Sequence, residues 1–273
     1  MHPHLIWQWH RDFYADKGAE AWHNSVPHYI TSNPFIANVY AETFLQFIKE
    51  WFSKNPELIR FPVYLIELGS GHGKFSFYFL KRFHELHADW PPSLQFCYLI
   101  SDFSDKNLEF CSAHPCLQRF IEDGVLDFAL FDLEKRNPIV LKIQDKTLSE
   151  ADFSNPLIIF ANYIFDSIRK DAFYIDERFR LHSALINIKA KASNMKDGRP
   201  IRLDEVSLDF SLQAMNEAPY EAPELNELIH EYNQLLKGRS LLLPIEELHL
   251  IDYFLKLTRN KLFLLSSDKG YLT

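Results

Sequence analysis

Residues 63–73 read VYLIELGSGHG, and KFSFYFLKRF follows at 74–83. The apolar run that opens the stretch predicts a buried strand, and the ten residues after it have helical character. Between them stand three of the chain's 8 glycines, at Gly69, Gly71 and Gly73. A strand, a glycine turn and a helix create a place where backbone N–H groups point at a ligand and the backbone can approach it closely. The stretch therefore predicts a ligand site at the end of the first strand.

Size and composition predict a globular protein with a substantial core. The chain has 273 residues, of which 47% are hydrophobic and 24% are charged. Its net charge of −8 argues against broad nucleic-acid binding, which needs Lys and Arg to neutralise phosphates. Cys97, Cys111 and Cys116 form no ligand-like CxxC pair, which predicts reduced thiols in a cytoplasmic protein. No run approaches the roughly 20 apolar residues of a membrane span, and no HExxH occurs, so we expect neither a membrane segment nor a metal site.

Strand and helix patterns alternate through the middle of the chain. Residues 1–60 are predicted to form an N-terminal helical segment, in which Ser32 or Asn33 with Pro34 begins a helix. Alternation then predicts an α/β fold with a doubly wound, Rossmann-like parallel sheet over 61–170 and 244–273. The predicted strands cover 62–68, 94–104, 125–134, 155–165 and 261–271.

Residues 171–243 break this order. Two alternating stretches in it predict antiparallel strands, and a helix is predicted over 223–236. About 70 residues separate the fourth and fifth strands, more than a crossover helix needs, so we predict an inserted α+β subdomain. The fifth strand lies close to the last residue, Thr273, and a missing C-terminal region of a longer protein is our expectation here.

The glycine turn resembles a known family. Glu-x-Gly-x-Gly-x-Gly is similar to the first motif of the S-adenosylmethionine-dependent methyltransferases with a Rossmann-like fold. A dinucleotide fingerprint instead wants a third glycine where Lys74 stands, and the Gly-Lys-Ser/Thr of a P-loop is absent. The resemblance implies S-adenosylmethionine as the cofactor, held at the first strand end by Glu67, Gly69, Ser70, Gly71 and Gly73.

The next two strand ends carry aspartates, to which the resemblance assigns roles in cofactor binding. Asp102 follows the second strand, where family members place an acid that accepts hydrogen bonds from both ribose hydroxyls, with Phe103 beside it. Asp132 follows the third, where a side chain commonly meets the adenine amino group and the Leu133 backbone is in reach. Each acid alone is more often a helix cap or a solvated turn residue. Their succession favours cofactor binding.

The fourth strand end narrows the resemblance. Ala161, Asn162 and Asp166 match the Ala-Asn-Glu-x-x-Asp-Ala-x-Pro segment of a branch that includes the mitochondrial complex I assembly arginine methyltransferases and their bacterial relatives. Tyr163 stands where that motif has Glu, and Arg169 where it has Pro. A carboxylate is what holds a guanidinium in such an enzyme, so this departure argues against arginine as the methyl acceptor.

The resemblance also implies roles at the acceptor side. Asn162, Tyr163 and Asp166 are the candidate positioning and catalytic residues, with Asp166 as the base. A core aromatic at a strand end is an equal interpretation of Tyr163. Tyr29 and Thr31 match the branch's Tyr/Phe-x-Thr-x-x-Pro segment and are candidate substrate contacts, and SSDKGY resembles its Asp-Tyr-Gly. The lone histidines in this half are candidates of lower rank: His23, His28 and His72.

Two functions remain open at this point. The first is a methyltransferase that acts on a protein side chain or a small molecule. The second is an S-adenosylmethionine-binding regulatory or scaffolding module without turnover, which the Tyr163 departure favours. A nicotinamide-dependent oxidoreductase is a third and weaker hypothesis, because of Lys74. We expect the insertion and the N-terminal helices to roof the cleft and select the acceptor; dimerisation or docking of the missing region is the alternative use of the insertion.

Overall fold

The structure, a computed structural model, describes residues 5–21, 28–30, 32–91, 93–190, 206–215 and 218–268. Its helices are α1 (Leu5–Lys17), α2 (Pro34–Lys54), α3 (Lys74–Glu85), α4 (Asp105–Ala113), α5 (Pro115–Glu122), α6 (Pro223–Leu235) and α7 (Ile245–Leu257). Its strands are β1 (Val63–Glu67), β2 (Phe96–Asp102), β3 (Leu126–Leu130), β4 (Val140–Leu141), β5 (Lys146–Thr147), β6 (Leu157–Asn162), β7 (Asp171–Ile175), β8 (Leu181–Ala190), β9 (Val206–Ala214), β10 (Arg239–Leu243) and β11 (Leu262–Ser267). The described residues divide into two compact units, one up to Ile168 and from Glu246 onward, the other Arg169–Ile245.

The first unit is built on a five-stranded sheet in the order β11-β6-β1-β2-β3. All four strand pairings are parallel, which confirms the predicted α/β class and doubly wound sheet. Every residue of β1 and β2 is buried, as expected for a parallel sheet covered on both faces. The chain leaves β1 towards β2 on one side and later returns to β6 on the other. The carboxyl end of β1 is therefore the topological switch point, where open α/β sheets bind ligands.

Both faces of this sheet carry a packed apolar core. One core contains Phe44 of α2, Phe79 of α3 and Phe160 of β6, each fully buried. The other contains Ile159 of β6 and Phe254 of α7. Complete burial of such side chains stabilises the fold by about 1.5–3 kcal/mol each. The sheet is thus a rigid support for the loops at its carboxyl edge.

The second unit is a smaller α+β structure. Its four-stranded antiparallel sheet has the order β10-β7-β8-β9, and α6 belongs to the same unit. A small core of Phe173, Ile229, Leu241 and Leu243 holds these elements together.

Several element bounds differ from the sequence prediction. The third strand ends at Leu130 rather than near Asp132, so Asp132 lies in the turn that follows. A separate helix, α5, begins at Pro115 after the cap residue His114, whose imidazole accepts a hydrogen bond from the Cys116 N–H. The sequence analysis also missed β10. It missed the short β4–β5 hairpin because a two-residue strand is too short to show a period.

Candidate functional site

The glycine turn after β1 needs glycine for a backbone reason. Gly69, Gly71 and Gly73 have φ angles of 60°, 56° and 70°, in the left-handed region that other residues rarely adopt. A Cβ at Gly69 would also lie 2.5 Å from Cδ1 of Ile164. The Ser70 N–H donates to the Ser101 carbonyl of β2 at 2.9 Å, which fixes the turn against the neighbouring strand. The hydrogen bond therefore holds the turn in place, and the Ile164 side chain occupies the space next to Gly69.

Glu67 lies beneath this turn. Its carboxylate is 5% exposed and accepts hydrogen bonds from the hydroxyls of Ser76 and, at 2.6 Å, Tyr98. Burial raises the pKa of Glu67 to about 7, although these hydrogen bonds act in the opposite direction. Glu67 thus connects the end of β1 to Ser76 of α3 and to Tyr98 of β2. It is not among the described residues that line the cavity presented below.

Asp102, the last residue of β2, joins the turn to the second strand end. Its Oδ2 accepts a hydrogen bond of 3.1 Å from the Gly71 N–H, and its Oδ1 accepts one of 2.9 Å from the Ser104 N–H. Burial raises the pKa of Asp102 to about 6, with the backbone donors and Asn107 lowering it. A buried carboxylate thus lies next to the backbone of the glycine turn.

A cavity lies at the carboxyl edge of the sheet, where β1, β2, β3 and β6 end. Four of the predicted cofactor residues line it, namely Gly69, Asp102, Phe103 and Leu133, together with Tyr163 from the predicted catalytic set. Its walls are otherwise mainly apolar: Phe131, Ile164 and Ile168. Three residues of α1 close its outer side: His10, Arg11 and Tyr14. Two carboxylates, those of Asp102 and Glu134, in a mainly apolar enclosure fit the composition expected of a small-molecule site.

Asn107 of α4 is a lining residue that the sequence analysis missed. It is 2% exposed, and its amide acts on Asp102 by a hydrogen bond that lowers the Asp102 pKa. Its Oδ1 is buried and has no hydrogen-bond partner in the described protein. Such an orphaned acceptor costs roughly 1–3 kcal/mol. The atom lies beside Gly18, where an added Cβ would be 3.5 Å from it.

Asp132, the predicted partner of an adenine amino group, is engaged by α1. Its two carboxylate oxygens accept hydrogen bonds of 2.5 and 3.2 Å from the guanidinium of Arg11. The same guanidinium lies 4.9 Å from the ring centre of Phe103. Arg11 and the backbone donors of Glu134 and Lys135 hold the pKa of Asp132 below its usual range, against the opposing effect of burial. The sequence analysis contained no signal for this ion pair.

Asn162 ends β6 beside the glycine turn's strand. Its Oδ1 accepts hydrogen bonds from the Tyr40 hydroxyl at 2.9 Å and from the Ser267 hydroxyl at 3.0 Å. Its Nδ2 is buried and has no partner among the described residues. The side chain therefore offers a donor rather than an acceptor, and it ties α2 and β11 to the end of β6.

Tyr163 lines the cavity, and Asp166 lies close enough to the α1 residues His10 and Tyr14 for its charge to favour higher pKa values in both. Tyr163 has a φ of 53°, a left-handed conformation that costs a non-glycine residue about 1–2 kcal/mol. Its N–H donates to the Ser267 carbonyl at 2.9 Å, which holds this turn in place. Asp166 is exposed and accepts a hydrogen bond of 3.1 Å from the Ser167 hydroxyl.

His10 and Tyr14 of α1 are electrostatically coupled to these residues. Their rings are in edge contact at 4.9 Å. Burial raises the pKa of Tyr14 to about 12, and the nearby Asp166 and Tyr163 add to the effect. Burial lowers the pKa of His10, against the raising effect of Asp166 and Glu134. His10 is consequently a neutral imidazole at pH 7, and neither α1 residue was identified from the sequence.

The remaining candidates lie elsewhere or outside the described residues. Tyr29 is 66% exposed in a single helical turn, His28–Ile30, and its carbonyl accepts a hydrogen bond from Asn33. Thr31 and His23 lie outside the described residues. Among the described ranges, no cluster of three or more His, Cys, Asp or Glu side chains is arranged to hold a metal ion. In the same part of the chain, the helices are too short or too polar to cross a membrane.

Comparison with known proteins adds a distant structural likeness. No protein-family model matches the chain, and no curated protein matches it. Among solved structures, the chain is similar to an uncharacterized protein from Burkholderia thailandensis, with 11% identity over 88% of this chain and 50% of that one and a TM-score of 0.48. A second Burkholderia thailandensis protein, solved with S-adenosyl-homocysteine, has 13% identity over 72% and 38% of the two chains and a TM-score of 0.39.

A third similar structure is phosphoethanolamine N-methyltransferase 1 from Haemonchus contortus in complex with phosphoethanolamine and S-adenosylhomocysteine. It has 10% identity over 62% of this chain and 28% of that one, with a TM-score of 0.29. The chain thus spans half or less of the length of these three proteins. With TM-scores below 0.5, these similarities identify neither the ligand nor the reaction of this chain.

Proposed function

We propose that this protein is an S-adenosylmethionine-dependent methyltransferase that acts on a protein side chain or a small molecule. The observation that carries the proposal is the meeting of Gly69, Asp102, Phe103 and Leu133, from three successive strand ends, around one cavity at the switch point. These positions were selected from the sequence by their resemblance to methyltransferase motifs. Their common cavity supports the cofactor assignment.

The residues of the cavity fit this cofactor chemically. Asp102 is a buried acceptor suited to ribose hydroxyls, and Asn107, whose side chain hydrogen-bonds to it, lines the same cavity. Phe103 and Leu133 offer apolar surface for a nucleobase, and Gly69 offers a backbone that an added Cβ would obstruct. When bound, S-adenosylmethionine supplies a methyl group that its sulfonium already activates. The protein therefore has to orient the acceptor, exclude water and accept one proton.

Asp166, His10 and Tyr163 are the residues that we assign to the acceptor side. Asp166 is our candidate for the proton-accepting group, since it is an exposed carboxylate close to His10 and Tyr14, which line the cavity. The neutral imidazole of His10 is a second basic group within its electrostatic reach. Tyr163, held in a left-handed turn, positions an aromatic ring against the cavity.

A cofactor-binding module without turnover is the second candidate function. Tyr163 in place of the motif's Glu favours it, and so does the engagement of the Asn162 oxygen by Tyr40 and Ser267. In that protein the same cavity binds the cofactor, and no acceptor is methylated.

Two measurements separate the candidates. Calorimetric titration should give a dissociation constant for S-adenosylhomocysteine and no heat with a nicotinamide dinucleotide; the reverse result rejects the family assignment. Transfer of a tritiated methyl group to fractionated cell extract should then label a discrete acceptor. Binding without labelled acceptor in any fraction selects the module without turnover.

A further inference from the structure

Arg11 engages two of the groups that a nucleobase would use. Its guanidinium donates two hydrogen bonds to the carboxylate of Asp132, at 2.5 and 3.2 Å, and lies 4.9 Å from the centre of the Phe103 ring. A guanidinium is flat, charged at all relevant pH values and able to stack on an aromatic ring while donating in its own plane. An adenine ring would present a similar flat face and an exocyclic donor. One side chain thus reproduces both contacts that the sequence analysis expects of the base.

The cavity is too small for a nucleoside while Arg11 lines it. Its volume is about 60 Å³, whereas pockets that hold small ligands measure about 300–1,000 Å³. One wall comes from α1, whose residues are at most partly buried, so a shift of its side chains gives up less packing than a shift of the buried residues at the strand ends. The least costly way to enlarge the cavity is therefore to move the α1 side chains that fill it.

We propose that Arg11 is a displaceable occupant of the nucleobase position, so that cofactor binding requires its guanidinium to leave Phe103 and Asp132. The proposal rests on the proposed function, because it concerns the base-binding part of that cofactor site. When only a fraction of the protein is in the state that can bind the ligand, the apparent dissociation constant is the intrinsic one divided by that fraction. Arg11 therefore sets the cofactor affinity by competing for the site from within the chain.

A second cation at Asp132 provides a matched control. The Lys135 ammonium lies 3.4 Å from the same carboxylate, but its side chain is 77% exposed and does not line the cavity. Removal of Lys135 takes away a positive charge near Asp132 and leaves the base position as it was. Removal of Arg11 takes away a positive charge near Asp132 and also empties the base position. The two variants therefore separate a change of charge from a change of occupancy.

Calorimetric titration of S-adenosylhomocysteine into the wild type, Arg11→Ala, Arg11→Lys and Lys135→Ala tests the proposal, with thermal unfolding to show that each variant is folded. We expect Arg11→Ala to bind about tenfold more tightly, which corresponds to a ligand-free protein with Arg11 in place about 90% of the time. Arg11→Lys should fall between, because an ammonium neither stacks as a plane nor donates in two-point fashion. Lys135→Ala should stay within about twofold of the wild type.

The outcomes are distinguishable. Equal or weaker binding by Arg11→Ala overturns the proposal and leaves the cofactor assignment standing. An equal gain in Arg11→Ala and Lys135→Ala attributes the effect to charge and also overturns it. Absence of binding by the wild type and all variants overturns both the proposal and the proposed function. Binding by Arg11→Ala alone supports both.

Discussion

The carboxylate of Asp102 accepts a hydrogen bond of 3.1 Å from the backbone N–H of Gly71. This contact joins the end of β2 to the glycine turn after β1, two segments that the sequence analysis assigned to the binding of one cofactor. Because the second oxygen is held by the Ser104 N–H, the carboxylate has a fixed orientation at the cavity wall. The same group therefore has a structural and a proposed binding role, and its test must separate the two.

The first prediction replaces Asp102 by asparagine. Asp102→Asn keeps the volume and one acceptor oxygen but removes the charge that would strengthen hydrogen bonds from ribose hydroxyls. We expect the affinity for S-adenosylhomocysteine to fall tenfold or more, about 1.4 kcal/mol or more. Calorimetric titration measures the affinity, and thermal unfolding shows how much of the loss comes from the fold.

Asp127 is the matched control for this substitution. It is an equally buried aspartate on the adjacent strand, and its carboxylate accepts hydrogen bonds from the Ile143 and Gln144 N–H groups, at 2.8 and 3.1 Å. It does not line the cavity. Asp127→Asn should lower the melting temperature and leave the affinity of the folded protein unchanged. The same affinity loss in both variants would refute a specific role for Asp102.

The second prediction concerns the glycine turn. Gly69→Ala places a Cβ in a left-handed conformation and 2.5 Å from the Ile164 side chain, which must move into the cavity or away from it. We expect a loss of about 1–3 kcal/mol in the free energy of unfolding and a clear loss of cofactor affinity. Chemical denaturation and titration measure the two effects.

Gly124 is the control, because it shares the left-handed conformation without the crowding. Its φ is 71°, and an added Cβ meets nothing within 4 Å. Gly124→Ala should cost about 1 kcal/mol of stability through backbone strain alone and leave binding unaffected. If Gly69→Ala binds the cofactor as well as Gly124→Ala does, the glycine turn does not contact the ligand.

The third prediction is a pH dependence of stability due to Glu67. Its pKa is raised from 4.5 in the unfolded chain to about 7 in the fold, so between these pH values the native state binds more protons. The free energy of unfolding should therefore decrease as the pH rises from about 4.5 to 7, by at most roughly 3 kcal/mol from this group. Denaturation of wild type and Glu67→Gln across this range measures the effect, and an unchanged slope in Glu67→Gln would contradict it.

The fourth prediction is that His10 titrates below its usual range. Burial lowers its pKa from 6.5, so His10 should stay neutral at pH 7 and become protonated only in more acidic solution. Its ring resonance in NMR spectra of wild type and His10→Gln identifies the titration. If His10 serves the acceptor side, methyl transfer should decline as the pH falls through this same pKa. A midpoint above 6.5 would contradict the lowered pKa of His10.

The regular part of the fold was predictable because it obeys local rules. Continuous apolar runs and an α/β alternation give β1, β2 and β6 within two or three residues of their observed ends. The strand β10 escaped detection because its five residues, Arg239–Leu243, lie between two helices and pair only with the distant β7. The helix α5 was not predicted, since the break at His114 that precedes it depends on a side-chain cap.

The site residues at the strand ends could be predicted from the sequence. The site residues that reach the cavity through contacts between distant segments could not. Gly69 and Asp102 follow from motif and strand position. Arg11, His10 and Tyr14 reach the cavity only because α1 packs near residues more than ninety positions away, and HRDFY carries no motif that would reveal it. For the same reason, the tie between Asn162 and Tyr40 had no signal in either segment alone.

A crystal structure of the protein with S-adenosylhomocysteine tests the central claim most directly. The account predicts that the ribose hydroxyls hydrogen-bond to Asp102, that the adenine ring lies on Phe103 beside Leu133, and that the Arg11 guanidinium has left the position it holds 4.9 Å from the Phe103 ring centre. The account would be contradicted if S-adenosylhomocysteine bound at another place. It would also be contradicted if the crystals showed no bound S-adenosylhomocysteine when the ligand was added in large excess over the protein.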